Sequence, residues 1–189
     1  MTKTATPKRS KAAKDTLVLS ATQLTTAIKT MAAKMMADQK DVASLAIVGI
    51  QSRGVPLAAR LAAAIKAKTG KKVDVGSLDI TLYRDDLSTI GTRPVLKSTN
   101  ISFSIDGRAV VLVDDVLFTG RTIRAALDEL VDFGRPSRIA LAVLIDRGHR
   151  ELPIQADYVG KVIKTTRSDM VDVRLAEIDG KDEVVLIKR

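Results

Sequence analysis

The chain has 189 residues, 46% of them hydrophobic and 28% charged, with a formal net charge of +9; this length and apolar content suit one domain with a sizeable core. Cysteine is absent and His149 is the single histidine, which excludes a disulfide framework, a cysteine-bound metal and a histidine-rich metal site, and argues against a Ser/His/Asp triad. No apolar run approaches the roughly 18–20 residues that span a bilayer, so a soluble, cytoplasmic protein is expected. Lys3, Lys8, Arg9, Lys11 and Lys14 carry much of the charge excess, with no acid among the first fourteen residues. Residues 1–15 are therefore expected to form a disordered basic tail, and residues 16–189 a single domain. With three Phe and two Tyr in all, that domain has few stacking platforms for a nucleic acid.

In chain order, Ser20 and Gln23 have capping-box spacing and Leu24, Ile28, Met31 and Met35 share one face, which predicts a helix over residues 20–38 with the methionines as core filling. Residues 45–50 read as a buried strand. Residues 54–68 read as a helix, with Pro56 near its start, Gly70 past its end, and Leu57, Leu61 and Ile65 inward. Between these elements Gly49, Ile50, Gln51, Ser52, Arg53 and Gly54 place backbone N–H groups and an arginine at a helix N-terminus, which suits an anion, although a plain strand-to-helix turn has the same look. Residues 73–83 alternate like one long strand. After Arg84, Asp85 and Asp86, about twenty residues show no sustained period, too many for an ordinary connection. A lid there that excluded water would bring Arg84, Arg93 or Lys97 onto an anion.

Residues 110–126, VVLVDDVLFTGRTIRAA, join three devices. Val110 to Val113 suit a strand buried on both faces. Asp114 and Asp115 follow at once, and because alternate side chains of an extended chain point opposite ways, they suit two partners. Val116, Leu117, Phe118, Thr119, Gly120, Arg121 and Thr122 then form a turn that opens onto Ile123, Leu127 and Leu130 at helical spacing. The helix dipole contributes only about 0.3–1 kcal/mol toward an anion, so the loop N–H groups and the Thr119 and Thr122 hydroxyls must supply most of the grip on a phosphate. The two carboxylates would meanwhile reach sugar hydroxyls or a hydrated magnesium ion. A strand followed by acids is common in α/β proteins, and a receiver-type phosphate switch also carries an acid pair after a buried strand; the Thr-Gly-Arg-Thr loop, with Ser52 and Arg53, argues against that switch. Gly134 and Pro136 end this helix, and residues 138–145 supply another buried strand. A polar turn follows from Asp146 to Pro153, which a solvated charged loop would equally explain. Residues 171–187 give short strands that finish the sheet or cover the site.

The run from Val110 to Thr122 resembles the phosphoribosyl pyrophosphate (PRPP) motif of the type I phosphoribosyltransferases at every position. The Gly49–Gly54 turn fits that family's G-I-x-[TS]-R-G pyrophosphate loop. The likeness narrows to the PyrR family, pyrimidine operon regulators that are also uracil phosphoribosyltransferases. It runs from about residue 17 to residue 187 and includes DITLYRDDL at 79–87, residues 131–136 and residues 146–161. The resemblance implies an α/β, type I phosphoribosyltransferase fold: a mainly parallel central sheet flanked by helices, with a flexible lid loop and a small hood. It implies that uracil and PRPP give UMP and pyrophosphate, with Mg2+ held through water by Asp114 and Asp115.

By the same resemblance Asp114, Asp115 and Arg84 are catalytic, and PRPP is bound along Asp114, Asp115, Val116, Leu117, Phe118, Thr119, Gly120, Arg121 and Thr122. Pyrophosphate falls to Ser52, Arg53, Gly54 and Arg84, and uracil to Arg147, Gly148 and His149. Family members also bind pyrimidine-operon mRNA and assemble as dimers or higher homo-oligomers. Arg150 and Lys161 match basic residues of the RNA-binding segment, but Gln155 stands where the family has arginine, and the first helix offers Thr25, Thr26 and Ala33 amid few charges. RNA regulation is thus the less well matched half, and the alternative to the enzyme reading is an RNA-binding attenuation regulator with little or no physiological catalysis.

Overall fold

The computed structural model describes residues 15–39, 41–80 and 99–189. β1 (Asp15–Leu19) leads into α1 (Ala21–Asp38). The helix begins where its sequence asks: the Gln23 N–H donates to Ser20 Oγ at 3.4 Å and the Ser20 N–H donates to Gln23 Oε1 at 2.9 Å, a reciprocal cap. β2 (Leu45–Ile50) is buried along its whole length, and α2 (Gly54–Thr69) is closed by Gly70 at a φ of 72°. Of the strand expected over residues 73–83, residues 81–83 lie outside the described residues; β3 spans Asp74–Leu78, and its ladder against β2 runs from Ala46–Asp74 to Ile50–Leu78 and stops where β2 stops. β4 (Ala109–Leu117) is longer than expected. Its neighbour β5 (Arg138–Asp146) continues alongside, with Asp114 opposite Val143 and Leu117 opposite Asp146, so both aspartates lie inside the strand rather than past its end.

α3 (Arg121–Leu130) follows β4, and the chain continues through β6 (Tyr158–Val162), β7 (Met170–Arg174), α4 (Ala176–Asp179) and β8 (Glu183–Ile187). Five strands form a parallel sheet in the order β3-β2-β4-β5-β6. Alternation along its strands feeds two cores. Leu45, Ile47, Val111 and Val113 pack with Leu24, Met31, Met35 and Leu61 of α1 and α2, while Ala46, Val48, Val110 and Leu112 pack with Ile123, Ala126 and Leu130 of α3. Residues 171–187 do not finish this sheet. β7 and β8 instead form a separate antiparallel sheet with β1, in the order β1-β8-β7, pairing Asp15 with Ile187 across nearly the whole chain. Arg84, Arg93 and Lys97, expected on a lid, and the basic residues of the N-terminal tail lie outside the described residues.

One buried acid on α3 carries a stability prediction. Glu129 is 6% exposed. Its Oε1 accepts from Thr99 Oγ at 2.6 Å, and Thr99 Oγ accepts in turn from the Asp79 N–H at 2.9 Å. Oε2 is out of water with no hydrogen-bond partner among the described residues. Burial pushes this carboxyl above the ordinary glutamate value; the Thr99 hydrogen bond opposes that, and the charges of Asp79 and Asp132 add to it. With the folded-state pKa raised, stability is greatest below the unfolded-state value and is lost as pH rises through the folded-state value. Glu129→Gln, which keeps an oxygen for Thr99, is expected to raise Tm at neutral pH by about 2–4 °C and to flatten that acidic pH dependence in thermal melts.

Candidate active site

Strands to one side of the β2/β4 pair are reached in one chain direction and those to the other side in the opposite one, so the carboxyl ends of β2 and β4 bound a switch point of the sheet, where α/β folds open a crevice. A cavity of about 300 Å³ lies there, lined by Gln51, Ser52, Arg53, Ile80, Asp114, Asp115, Val116 and Thr122. The glycine-flanked turn after β2 and the acidic end of β4 therefore face one another. This approach depends on two glycines. A Cβ on Gly49 would stand 2.5 Å from the Gly54 carbonyl oxygen, and a Cβ on Gly54 would collide with the Val113 carbonyl oxygen. The Gln51–Ser52 peptide is cis.

Strand alternation suggests that Asp114 and Asp115 serve different sides, yet both line the same cavity. Local hydrogen bonding explains this. The Asp115 N–H donates to Asp114 Oδ1 and the Val116 N–H donates to Asp115 Oδ1, each at 2.9 Å, so each carboxylate curls forward along its own backbone. Asp114 is buried. Withdrawal from water pushes the Asp115 carboxyl above the ordinary aspartate value, while the contact with Asp114, the charge of Arg53 and the Val116 N–H pull the other way. Such a pair is prepared for a positive partner. Two carboxylates facing open space suit a magnesium ion, which takes one or two carboxylates and completes its shell with waters and substrate oxygens. Among the described residues no group of three or more His, Cys, Asp or Glu side chains is placed to hold a metal by itself.

The turn expected to hold a phosphate is fixed from the side. Gly120 has a φ of 94° and starts α3, and the Arg124 N–H donates to its carbonyl at 2.9 Å. The Thr119 carbonyl accepts from the N–H groups of Glu151 and Leu152 at 2.9 and 3.2 Å, and Arg121 Nε donates to Glu151 Oε2 at 3.0 Å. Arg150, a candidate RNA contact by sequence, points inward. Its guanidinium donates to the carbonyls of Ile154, Phe118 and Gly148 and pairs with Asp146, which ties the phosphate turn to the turn after β5. Lys161 is exposed on β6 and its Nζ donates to the Val18 carbonyl at 2.8 Å.

Arg147, Gly148 and His149 stand beside the phosphate turn rather than in the cavity lining. The Arg147 N–H donates to the Leu117 carbonyl, and its guanidinium lies 4.1 Å from the Phe118 ring centroid. Arg147 is 7% exposed and donates to Thr165 Oγ and to the Thr166 carbonyl. His149 has a φ of 61°, packs edge-on to Phe118 and shares a 2.7 Å hydrogen bond with the Thr165 carbonyl. With a carbonyl as partner, Nε2 is the donor of this bond. Sequence reasoning missed Thr165 and Thr166, which carry no motif, and gave Gln51 and Ile80 of the cavity wall no role beyond membership of the turn and of the 79–87 segment. Arg84 lies outside the described residues.

A parallel sheet with an acidic strand end and a Thr-Gly-Arg-Thr turn at its switch point defines a phosphoribosyltransferase fold, and residues 18–178 match the family described as "Phosphoribosyl transferase domain". The backbone is similar to that of a hypoxanthine-guanine phosphoribosyltransferase from Bacillus anthracis, with a TM-score of 0.69 and 21% identity over 93% of this chain and 99% of that one. The chain belongs to the PyrR family of phosphoribosyltransferases. It is 57% identical over 149 residues to the "Bifunctional protein PyrR" of Pelotomaculum thermopropionicum, covering 79% of this chain and 82% of the relative. It is also 55% identical over 172 residues to the protein of that name from Thermus thermophilus, covering 91% and 95%. Among the described residues no helix is long and apolar enough to cross a membrane.

Proposed function

We propose that this chain transfers the phosphoribosyl group of PRPP to uracil, giving UMP and pyrophosphate. The observation that carries the reading is the cavity that joins Ser52 and Arg53 to Asp114, Asp115 and Thr122. The first α3 turn and the Thr119–Thr122 loop take the 5′-phosphate. Asp114 and Asp115 take the ribose hydroxyls, and Ser52, Arg53 and Gly54 the pyrophosphate, joined by Arg84. Magnesium, held through water by the two carboxylates, would neutralise charge on the pyrophosphate. A uracil ring nitrogen bonds to the anomeric carbon as the bond from that carbon to the pyrophosphate oxygen breaks, and the nitrogen's proton is released. No covalent enzyme intermediate is needed, so the residues act by positioning and by charge stabilisation. Uracil falls beside Phe118, where Arg147, Gly148 and His149 meet the end of β4.

Pyrophosphate release from PRPP on adding uracil, dependent on magnesium, is the expected result of a coupled assay. No turnover with any pyrimidine base would sink the reading.

A second role rests on the word "bifunctional" in the relatives' name and on the resemblance set out above: binding of pyrimidine-operon mRNA, strengthened by UMP. Lys161 remains the exposed basic candidate, whereas the inward ties of Arg150 suit a supporting role. A basic face this sparse is expected to bind weakly, because each cation missing from the face lowers the salt slope by about one unit. Titration of the leader RNA with and without UMP at low salt measures it, and the absence of UMP-enhanced binding would remove this role. The protein is further read as a homo-oligomer, a dimer or higher.

A further inference from the structure

Arg53 has a partner outside the transfer site. Its Nη2 donates at 2.9 Å to Oδ1 of Asp179, which lies 126 positions further along the chain, at the end of α4. The second oxygen of Asp179 accepts from the Leu175 N–H at 2.9 Å, so both oxygens are committed and the carboxylate is fixed in direction. These contacts, Leu175 first, hold the Asp179 carboxyl below its ordinary value.

α4 is itself held on α2. Arg60, two helical turns beyond Arg53 and on the same side of the helix, donates to both oxygens of Glu177 and both oxygens of Asp182. The Asp182 carboxylate also accepts from the Ala176 N–H at 2.8 Å. The short C-terminal helix is thereby anchored by one arginine and presents its last acid to the other.

The space around Arg53 gives this contact a purpose. Arg53 borders the carboxylate cavity on one side and, on the other, a second pocket of about 450 Å³ lined by Val55, Pro56, Ala59, Glu177 and Ile178. An unheld guanidinium has both spaces open to it. Asp179 engages one of the five N–H donors that an arginine carries, and the Arg53 side chain is still 32% exposed. Donors remain for an anion.

We propose that Asp179 is a positioning residue for the transfer reaction: from α4 it holds the Arg53 guanidinium at the carboxylate cavity, so that the remaining N–H donors meet the pyrophosphate oxygens. The inference rests on the reading of Arg53 as a pyrophosphate ligand. It makes the C-terminal segment part of PRPP capture without placing any residue of α4 on the substrate.

The test is a double-mutant cycle on the full chain with Asp179→Ala, Arg53→Ala and the pair, reading KM for PRPP, KM for uracil and the Kd of magnesium pyrophosphate by calorimetry. Asp179→Ala is expected to raise KM for PRPP and Kd for pyrophosphate about tenfold while KM for uracil stays within about twofold. In the Arg53→Ala background the same substitution is expected to change nothing further. Should Asp179→Ala not fold, Asp179→Asn, which keeps an oxygen for Arg53 but loses the charge, is expected to show the same split at about threefold. Equal shifts for both substrates, additive effects in the cycle, or no effect would each overturn the positioning role. A wild-type chain that binds neither PRPP nor magnesium pyrophosphate would overturn the reading of Arg53 itself, and the proposal with it.

Discussion

Asp115→Asn is expected to lower kcat/KM for PRPP by about a hundredfold to a thousandfold while leaving the protein folded. Asparagine is close to aspartate in shape and keeps an oxygen to accept from the Val116 N–H, the local contact that turns this side chain toward the cavity. It removes the negative charge that would face ribose hydroxyls and hydrated magnesium. Stability should move the other way. Because burial raises the Asp115 carboxyl above its ordinary value, the ionised form costs folding free energy, and stability is lost as pH rises through the raised value. The asparagine variant should therefore melt at or above the wild-type temperature. A coupled pyrophosphate assay beside a thermal melt checks both halves, and activity within tenfold of wild type would remove Asp115 from the chemistry.

Gly54→Ala is expected to cost about 3 kcal/mol or more, which lowers Tm by roughly 6–12 °C in a chain of this size. The added Cβ meets the Val113 carbonyl oxygen, a backbone atom inside the central strand that no rotamer change can move aside. Relief requires α2 to back away from β4. That separation would carry Ser52 and Arg53 away from Asp114 and Asp115, so the PRPP KM should rise as stability falls. Gly70→Ala is the control: Gly70 has a φ of 72° but open space around it, so alanine there incurs conformational strain without collision, a loss of about 1 kcal/mol and no change in KM. Urea melts of the two variants with PRPP kinetics separate the effects. Wild-type stability in Gly54→Ala would show that the two segments are not held at the distance described.

What the sequence made legible is what local patterning controls. β2, α1 and α2 were readable because their apolar spacing, capping pair and flanking glycines all lie within a few residues of each other. The turn from β4 into α3 was readable for the same reason, as a strand, two acids and a helix start in one continuous run. β1 was not: its burial runs from exposed at Asp15 to buried only at Leu19, and its ladder partner is β8 at the other end of the chain. The bounds of β4 were misjudged because a strand's length is set by how far its neighbours continue. Arginines, in a turn or on a helix face, were the other blind spot. Arg150 and Arg60 look solvated in a sequence and prove to be internal ties, since a guanidinium can satisfy several acceptors that come together only after folding.

The antiparallel sheet of β1, β8 and β7 imposes an order on assembly. On a ribosome, all five parallel strands have emerged once residue 162 is clear, and their neighbour-to-neighbour ladders can close. β1, made first, has no strand to pair with until β8, made last, arrives. The long loop this closes makes it a late step. Asp179, four residues before β8, emerges just ahead of that strand and only then can reach Arg53. A nascent chain therefore carries its carboxylate pair and Thr-Gly-Arg-Thr turn before Arg53 is restrained, so, on the proposed role of Arg53, arrested chains should gain high affinity for PRPP only when Asp179 is released from the tunnel.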